Sequence, residues 1–258
     1  MLRKGLGYFS RYFSLILLVA IWQGVCSAGL ISSHVLASPL AVVLTAETLV
    51  RDGTLPKNLV VSLVRAASGL SLAVIIGVVL ALVSGLSRMG EEVVDGPMQI
   101  FRTLPALALV PLFILWFGIG ETPKILLVAF GAAFPIYLNL HKGIRGVDVR
   151  LLEMGKTLGL SHSKVVRDII LPSALPDFIV GLRFAVGISW LMLVVAEQVN
   201  AESGIGHMMM DAEDFLRTDV ILVGLAVYGF LGLMSDQIVR YIERFFLIWS
   251  LDKNREVS

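Results

Sequence analysis

Two groups of residues in this chain have the types and spacing to do more than pack. The first is a polar segment, Glu153 to Pro172, reading EMGKTLGLSHSKVVRDIILP, in which Gly159 follows Glu153 and Ile169, Leu171 and Pro172 close the run. Read locally, it fits either an ordinary cytosolic connection between two membrane helices or a segment that meets a partner, with charges on one side and Leu158, Leu160 and their apolar neighbours on the other. Glu153 has two readings, a pair with a partner's cation or a local pair with Lys156 at i+3. The second group sits inside apolar runs: Arg102, Thr103, Pro105, Pro111, Asn139 and Glu197. Charged groups at membrane depth are costly and count as functional candidates. Arg102 stands out among them, while Arg65 and Arg183 lie near span ends from which a long side chain reaches water. Glu197, Gln198 and Asn200 fit either a gate or a polar rim.

Covalent chemistry has no foothold. The sequence contains no G-x-x-x-x-G-K-[ST], no H-E-x-x-H and no G-x-S-x-G, so neither nucleotide cleavage nor hydrolysis is expected of it. His34, His141, His162 and His207 are scattered and Cys26 is the one cysteine, which leaves no intrachain disulfide, no metal site and no cofactor to expect. Formal net charge is +1, which gives no reason to expect a nucleic acid.

The elements that hold these residues are membrane helices. Hydrophobic residues make up 57% of the chain, charged ones 16%, and mean hydropathy is +0.85, which together exclude a water-soluble globule. Six spans are expected, at about 13–31, 62–86, 100–119, 124–140, 178–199 and 220–242. The first follows Arg3, Lys4 and Arg11 and is read as an uncleaved span rather than a leader. Ser38 to Pro56 reads as an external connection and Arg88 to Asp95 as a short cytosolic turn. Pro105 and Pro111 break the third span, and such breaks survive where protein or a cavity satisfies the freed backbone. A short helix around Met208 to Met210 is expected in the connection before the last span.

Cations set the orientation. With the N-terminus inside, Arg88, the six cations from Lys142 to Arg167, Arg240, Arg244, Lys253 and Arg255 all fall on the cytosolic side. The polar segment then lies in the cytosol and both termini with it. Locally it reads as two short helices around Gly159, which supplies a positive φ, with Ser161 capping the second and Pro172 ending it. Glycines 77, 85, 181, 187, 224, 229 and 232 are expected to let helices approach closely.

Glu153, Gly159, Ile169, Leu171 and Pro172 resemble the coupling-loop signature of ABC importer permeases, a Glu-Ala-Ala run, a spacer to Gly, and Ile-x-Leu-Pro. Met154 and Gly155 stand where that signature has its two small residues. Blocks at Leu112 to Gly118, Phe134 to Asn139, Gly181 to Gly187 and Gly204 to Gly206 extend the resemblance over about 63–249, to permeases of the sulfonate, taurine and nitrate importers. The resemblance implies an all-α integral membrane protein of the type I, MetI-like importer fold. It implies an N-terminal stub, first span and external connection over 1–61, a permease core over 62–249 with its coupling loop at about 150–172, and a cytosolic tail over 250–258.

The implied function is a pathway for a small organic anion, aliphatic sulfonates first, with taurine, nitrate or a pyrimidine precursor as alternatives. The implied partners are two ABC ATPase subunits docked at Glu153, Gly155, Leu158, Gly159, Leu160, Ile169, Leu171 and Pro172, an extracytoplasmic binding protein, and a second permease copy in the bacterial inner membrane. An ion-coupled secondary transporter is the rival from another class. It would be expected to carry paired mid-membrane acids and internal repeats, and neither is evident here.

Overall fold

The computed structural model describes residues 2–246, with side chains described outside 2–12, 15, 106–107 and 200. The 250–258 tail, Lys253 and Arg255 lie outside the described residues, as do the side chains of Arg3, Lys4, Arg11 and Asn200. Every regular element among the described residues is helical. Among the described residues four helices are long and apolar enough to cross a membrane, and a bent pair makes up to five. The expected first span is represented by a shorter apolar stretch, Ile16–Ser27, within helix α1 (Leu2–Ser27).

The chain divides into two compact units, 1–61 with 201–229, and 62–200 with 230–258. In the first, the region read as an external connection with turn chemistry contains helix α2 (Pro39–Arg51). Ser38 caps it by accepting from the Ala41 N–H, and Pro39 occupies the first turn, where its missing N–H costs nothing. Asn58 Oδ1 accepts from the Gly204 N–H at 2.7 Å just ahead of α10 (Ile205–Asp214), the short helix expected around Met208. Thr45 Oγ1 donates to Asp219 at 2.7 Å. Met209 lies where a side chain on Gly224 would have to go, so that glycine lets α10 and α11 (Thr218–Phe246) pack closely.

The second unit is built around α6 (Glu121–Arg145). The most apolar stretch of α6 is 61% buried, against 33% for that of the helix ending at Val199, which makes α6 the central helix. It packs along α9 (Leu171–Asn200) and against α3 (Thr54–Leu86). Gly69, Gly77 and Gly85 form the α3 side of that seam: a Cβ on Gly77 would sit 2.8 Å from the Ala133 carbonyl oxygen. Gly181 serves α9 in the same way, with Pro135 O 2.8 Å from its notional Cβ. Gly187, Gly229 and Gly232 face open space, so close packing within this chain does not explain them. Buried alanines and Ile136 fill the interior between these helices.

Arg88 to Asp95 is not a turn but the start of α4 (Arg88–Thr103). Ser87 accepts from the Gly90 N–H and Glu91 lies in the first turn, so capping and helix dipole both favour continuing as helix where charge density alone suggested a loop. Its polar face is used: Arg145 Nη2 lies 2.5 Å from Glu91 Oε2, and Tyr137 OH donates to Asp95 at 3.2 Å. The third expected span is this α4 followed by α5 (Ala106–Phe117), bent by 115° across the Leu104–Pro105 step.

Candidate functional site

The polar segment folds as α7 (Val149–Thr157), a glycine turn, α8 (His162–Val165) and a five-residue π-turn, Val166–Ile170, running directly into α9. Asp148 starts α7 by accepting from the Arg150 N–H at 2.9 Å. Gly159 ends it with φ 68°, the left-handed conformation that its position was expected to require. The Leu160 N–H reaches back to Gly155 O and the Gly159 N–H to Lys156 O, both at 3.0 Å, which is a Schellman closure with glycine at the residue after the cap. The joint is therefore fixed by two hydrogen bonds rather than hinged.

Pro172 does not end the second helix. The chain is helical from His162 to Val199 over 38 residues, with Pro172 second in α9. A proline cannot donate to the carbonyl four residues back and crowds it. The wider π-turn just before it absorbs that mismatch, and so the helix continues. Ser161 holds the N-cap position, but its hydroxyl makes no capping hydrogen bond.

Gly155 is buried against this second arm. A Cβ there would lie 2.8 Å from Ile169 Cδ1, so Gly155 and Ile169 hold the two arms together. Leu171, 38% exposed, and Pro172 follow at the start of α9, with Pro172 lining a small groove beside Leu151, Met154 and Ile169. Leu158 is 67% exposed and Met154 49%, an apolar edge turned to the outside. Glu153 is exposed and, among the described residues, pairs with no cation, Lys156 included.

The second group of sequence candidates does not gather at one place. Arg102 lines a half-open cavity of about 540 Å³ between α3, α4, α5, α6 and α9, its guanidinium 5.9 Å from the centre of the Phe134 ring. Thr103 caps its own turn by donating to Ile100 O at 2.8 Å, and Pro105 stands at the bend as the N-cap of α5. Pro111 lies inside α5, and Asn139 donates to Pro135 O at 2.8 Å within α6. None of these four is among the described residues lining the cavity.

Glu197 is fully buried and belongs to a network that the sequence did not reveal. Arg65 Nη1 meets Glu197 Oε1 at 2.9 Å, while its Nε and Nη2 hold both oxygens of Glu121 at 2.6 and 2.7 Å. The Ser62 hydroxyl lies 2.8 and 2.9 Å from the two Glu197 oxygens, and Lys124 donates to Gly120 O at 2.8 Å. Arg65, read as a snorkelling cation, is 2% exposed and joins α3, α6 and α9. Arg183 is likewise paired, 3.0 Å from Asp236 and 3.4 Å from Glu243.

Residues 73–247 match the family described as binding-protein-dependent transport system inner membrane component. The chain is 40% identical over 247 residues to a Bacillus subtilis protein named as an aliphatic sulfonates transport permease, SsuC, covering 96% of this chain and 90% of that one. The Escherichia coli protein of the same name is 45% identical over 248 residues, covering 96% and 94%. The Escherichia coli taurine transport system permease protein TauC is 34% identical, covering 92% and 88%. Among solved structures, an amino acid ABC transporter crystallised with histidines superposes with TM-score 0.61 at 18% identity, covering 72% of this chain and 91% of that one. An inward-facing MetNI methionine ABC transporter superposes with TM-score 0.55 at 20% identity, covering 75% and 95%. The fold is thus that of the type I, MetI-like importer permeases. Taken with the relatives, it places the chain in the binding-protein-dependent transport system inner membrane component family, as a membrane-spanning permease subunit of an ATP-binding cassette importer.

Proposed function

We propose that this permease carries aliphatic sulfonates inward, as one of two copies in an importer whose ATP is hydrolysed by two separate ATPase subunits and whose cargo is handed over by an extracytoplasmic binding protein. It sits in the bacterial inner membrane with both termini in the cytosol, where the positive-inside rule puts its cations. Residues 62–249 form the permease core and 1–61 an N-terminal addition of stub, span and connection. The cargo reading draws its support from identity of 40–45% along nearly the whole chain to two proteins named as sulfonate permeases.

The observation that carries the mechanism is the joint formed by α7, Gly159 and the helix from His162 onward. Leu158, Met154 and Glu153 offer an apolar edge with one carboxylate that no cation meets among the described residues, the chemistry of a plug for a groove with a cationic rim. Gly155, Leu160 and Ile169 keep α7 fixed to the second arm, and Leu171 and Pro172 lead that arm into a span. Closure of the two ATPases moves α7, the span follows, and the pathway opens to the other side. Arg102 faces that pathway. Thr103, Pro105 and Pro111 shape the bent pair α4 and α5 beside it, Asn139 lies on α6, and Glu197 ties α3, α6 and α9 together through Arg65.

Vesicles reconstituted with this chain, its ATPase and its binding protein test the reading directly. Labelled alkanesulfonate should enter only with ATP present, and faster than taurine, nitrate or bicarbonate. Entry of taurine alone would move the cargo to the second reading, which the TauC similarity favours next. Assembly without entry of any of these would remove the cargo reading, and failure of the ATPase to bind would remove the docking role of α7.

A further inference from the structure

Several cations carried by the helices of the second unit are met by carboxylates: Arg65 by Glu121 and Glu197, Lys124 by Glu121, Arg145 by Glu91, and Arg183 by Asp236 and Glu243. Among the described residues Arg102, like Lys142 and Arg244, is not. Its nearest ring partner is the face of Phe134. It stands in the last turn of α4, where the helix dipole favours a cation without neutralising it.

The cavity it lines is otherwise apolar. Phe101, Phe113, Trp116, Phe117, Phe130 and Phe134 form much of the wall, with Phe130 edge-on to Phe101 at 5.9 Å and to Phe113 at 6.1 Å, and apart from Arg102 the other described lining residues are aliphatic, small or methionine. At about 540 Å³ the space falls within the range of small-molecule sites. Arg102 is itself exposed, and an anion entering the cavity beside it meets a charge whose attraction is stronger against an apolar wall than in bulk water. A guanidinium presents two parallel N–H donors, which suit a head group with several equivalent oxygens. The ring wall suits an unbranched hydrocarbon.

We infer that this cavity is a selectivity point within the permease itself for organic anions with one charged head and an apolar tail, the head on Arg102 and the tail against the rings of Phe113, Trp116 and Phe134. The inference rests on the importer reading above and adds to it that the permease discriminates after the binding protein has released its cargo. An alkanesulfonate satisfies both halves of the site. Taurine brings an ammonium group beside Arg102 with no carboxylate to meet it, and nitrate or bicarbonate leaves the apolar wall unused.

The test is ATP-driven uptake of methane-, butane- and octanesulfonate by the reconstituted complex, comparing the unaltered chain with Arg102→Leu, Arg102→Lys and Phe134→Ala, with co-purification of the partners confirming assembly. Arg102→Leu should cut uptake of all three by about tenfold or more, the loss of a charge-assisted contact, and Arg102→Lys should fall between. Phe134→Ala should instead flatten the preference for the longer chains. Should Arg102→Leu fail to assemble, Arg102→Gln takes its place with the same expected loss. Unchanged uptake by the neutral variant, or an unchanged chain-length preference in Phe134→Ala, would overturn the inference while leaving the importer reading intact. No uptake of any sulfonate by the assembled unaltered complex would remove the cargo reading, and the inference with it.

Discussion

Arg65 and Glu197 meet in the interior with 2.9 Å between Nη1 and Oε1, 2% and 0% exposed, on helices α3 and α9 that are 132 residues apart along the chain at this point. With Glu121 on α6 taking the rest of the guanidinium, one arginine closes three helices of the second unit. Removing Arg65 strands the buried Glu197 carboxylate without counter-charge, at about 3–5 kcal/mol, whereas removing Glu197 leaves Arg65 its Glu121 partner. Arg65→Leu should therefore lower the unfolding midpoint of the detergent-solubilised protein by that equivalent and Glu197→Ala by less, and the combined Arg65→Leu, Glu197→Leu chain should lose less than the sum of the two. Additive losses would mean that the pair does not act as a unit.

Gly159→Val should leave insertion and expression unchanged and abolish ATP-driven uptake. A β-branched residue at φ 68° carries about 1–3 kcal/mol of strain, enough to break the two hydrogen bonds that close α7 but too local to unfold the spans. Asparagine tolerates this conformation, so Gly159→Asn should retain a measurable part of the uptake. Equal uptake by the valine chain would show that the joint need not be fixed.

Gly155 makes a graded series. Its notional Cβ meets the far end of the Ile169 side chain, which can yield, so Gly155→Ala should keep most of the uptake and Gly155→Leu very little. Adding Ile169→Val to Gly155→Ala should restore what the alanine lost. Protease cleavage between Lys156 and Lys164 gives an independent readout, since it should speed up in the leucine chain as the arms separate.

Leu158→Asp separates docking from stability. A side chain 67% exposed contributes little to the fold, so the unfolding midpoint should move by less than about 0.5 kcal/mol equivalent. Co-purification with the ATPase should be lost. Retention of the ATPase by this chain, and by Met154→Asp, would remove the apolar edge of α7 from the interface.

Much of this architecture is readable from the order of residues because it depends on local rules. The positive φ of Gly159 follows from a glycine between two amphipathic stretches, and α10 was visible as a methionine cluster within a polar connection. What escaped depends on neighbours distant in sequence. Arg65 looked like a span-end cation because nothing local shows that Glu121 and Glu197 converge on it. Helix α4 was hidden because a run with Glu91, Glu92 and Asp95 has the composition of a turn, and its polar face is explained only by Arg145 and Tyr137 on α6. Pro172 reads as a stop in the sequence because the residues that widen the preceding turn carry no signature of a π-helix.

The unbroken helix from His162 to Val199 also has a length. At 1.5 Å per residue, its 38 residues make a rod of about 57 Å, nearly twice the thickness of a bilayer's hydrocarbon core. If it turns about a point near its middle, a swing of about 10° carries each tip through roughly 5 Å, the span of one helical turn. Motion at the α7 end is thereby returned at the Glu197 end with equal amplitude and opposite sense. An arc of that size is enough to exchange one row of side-chain contacts for the next.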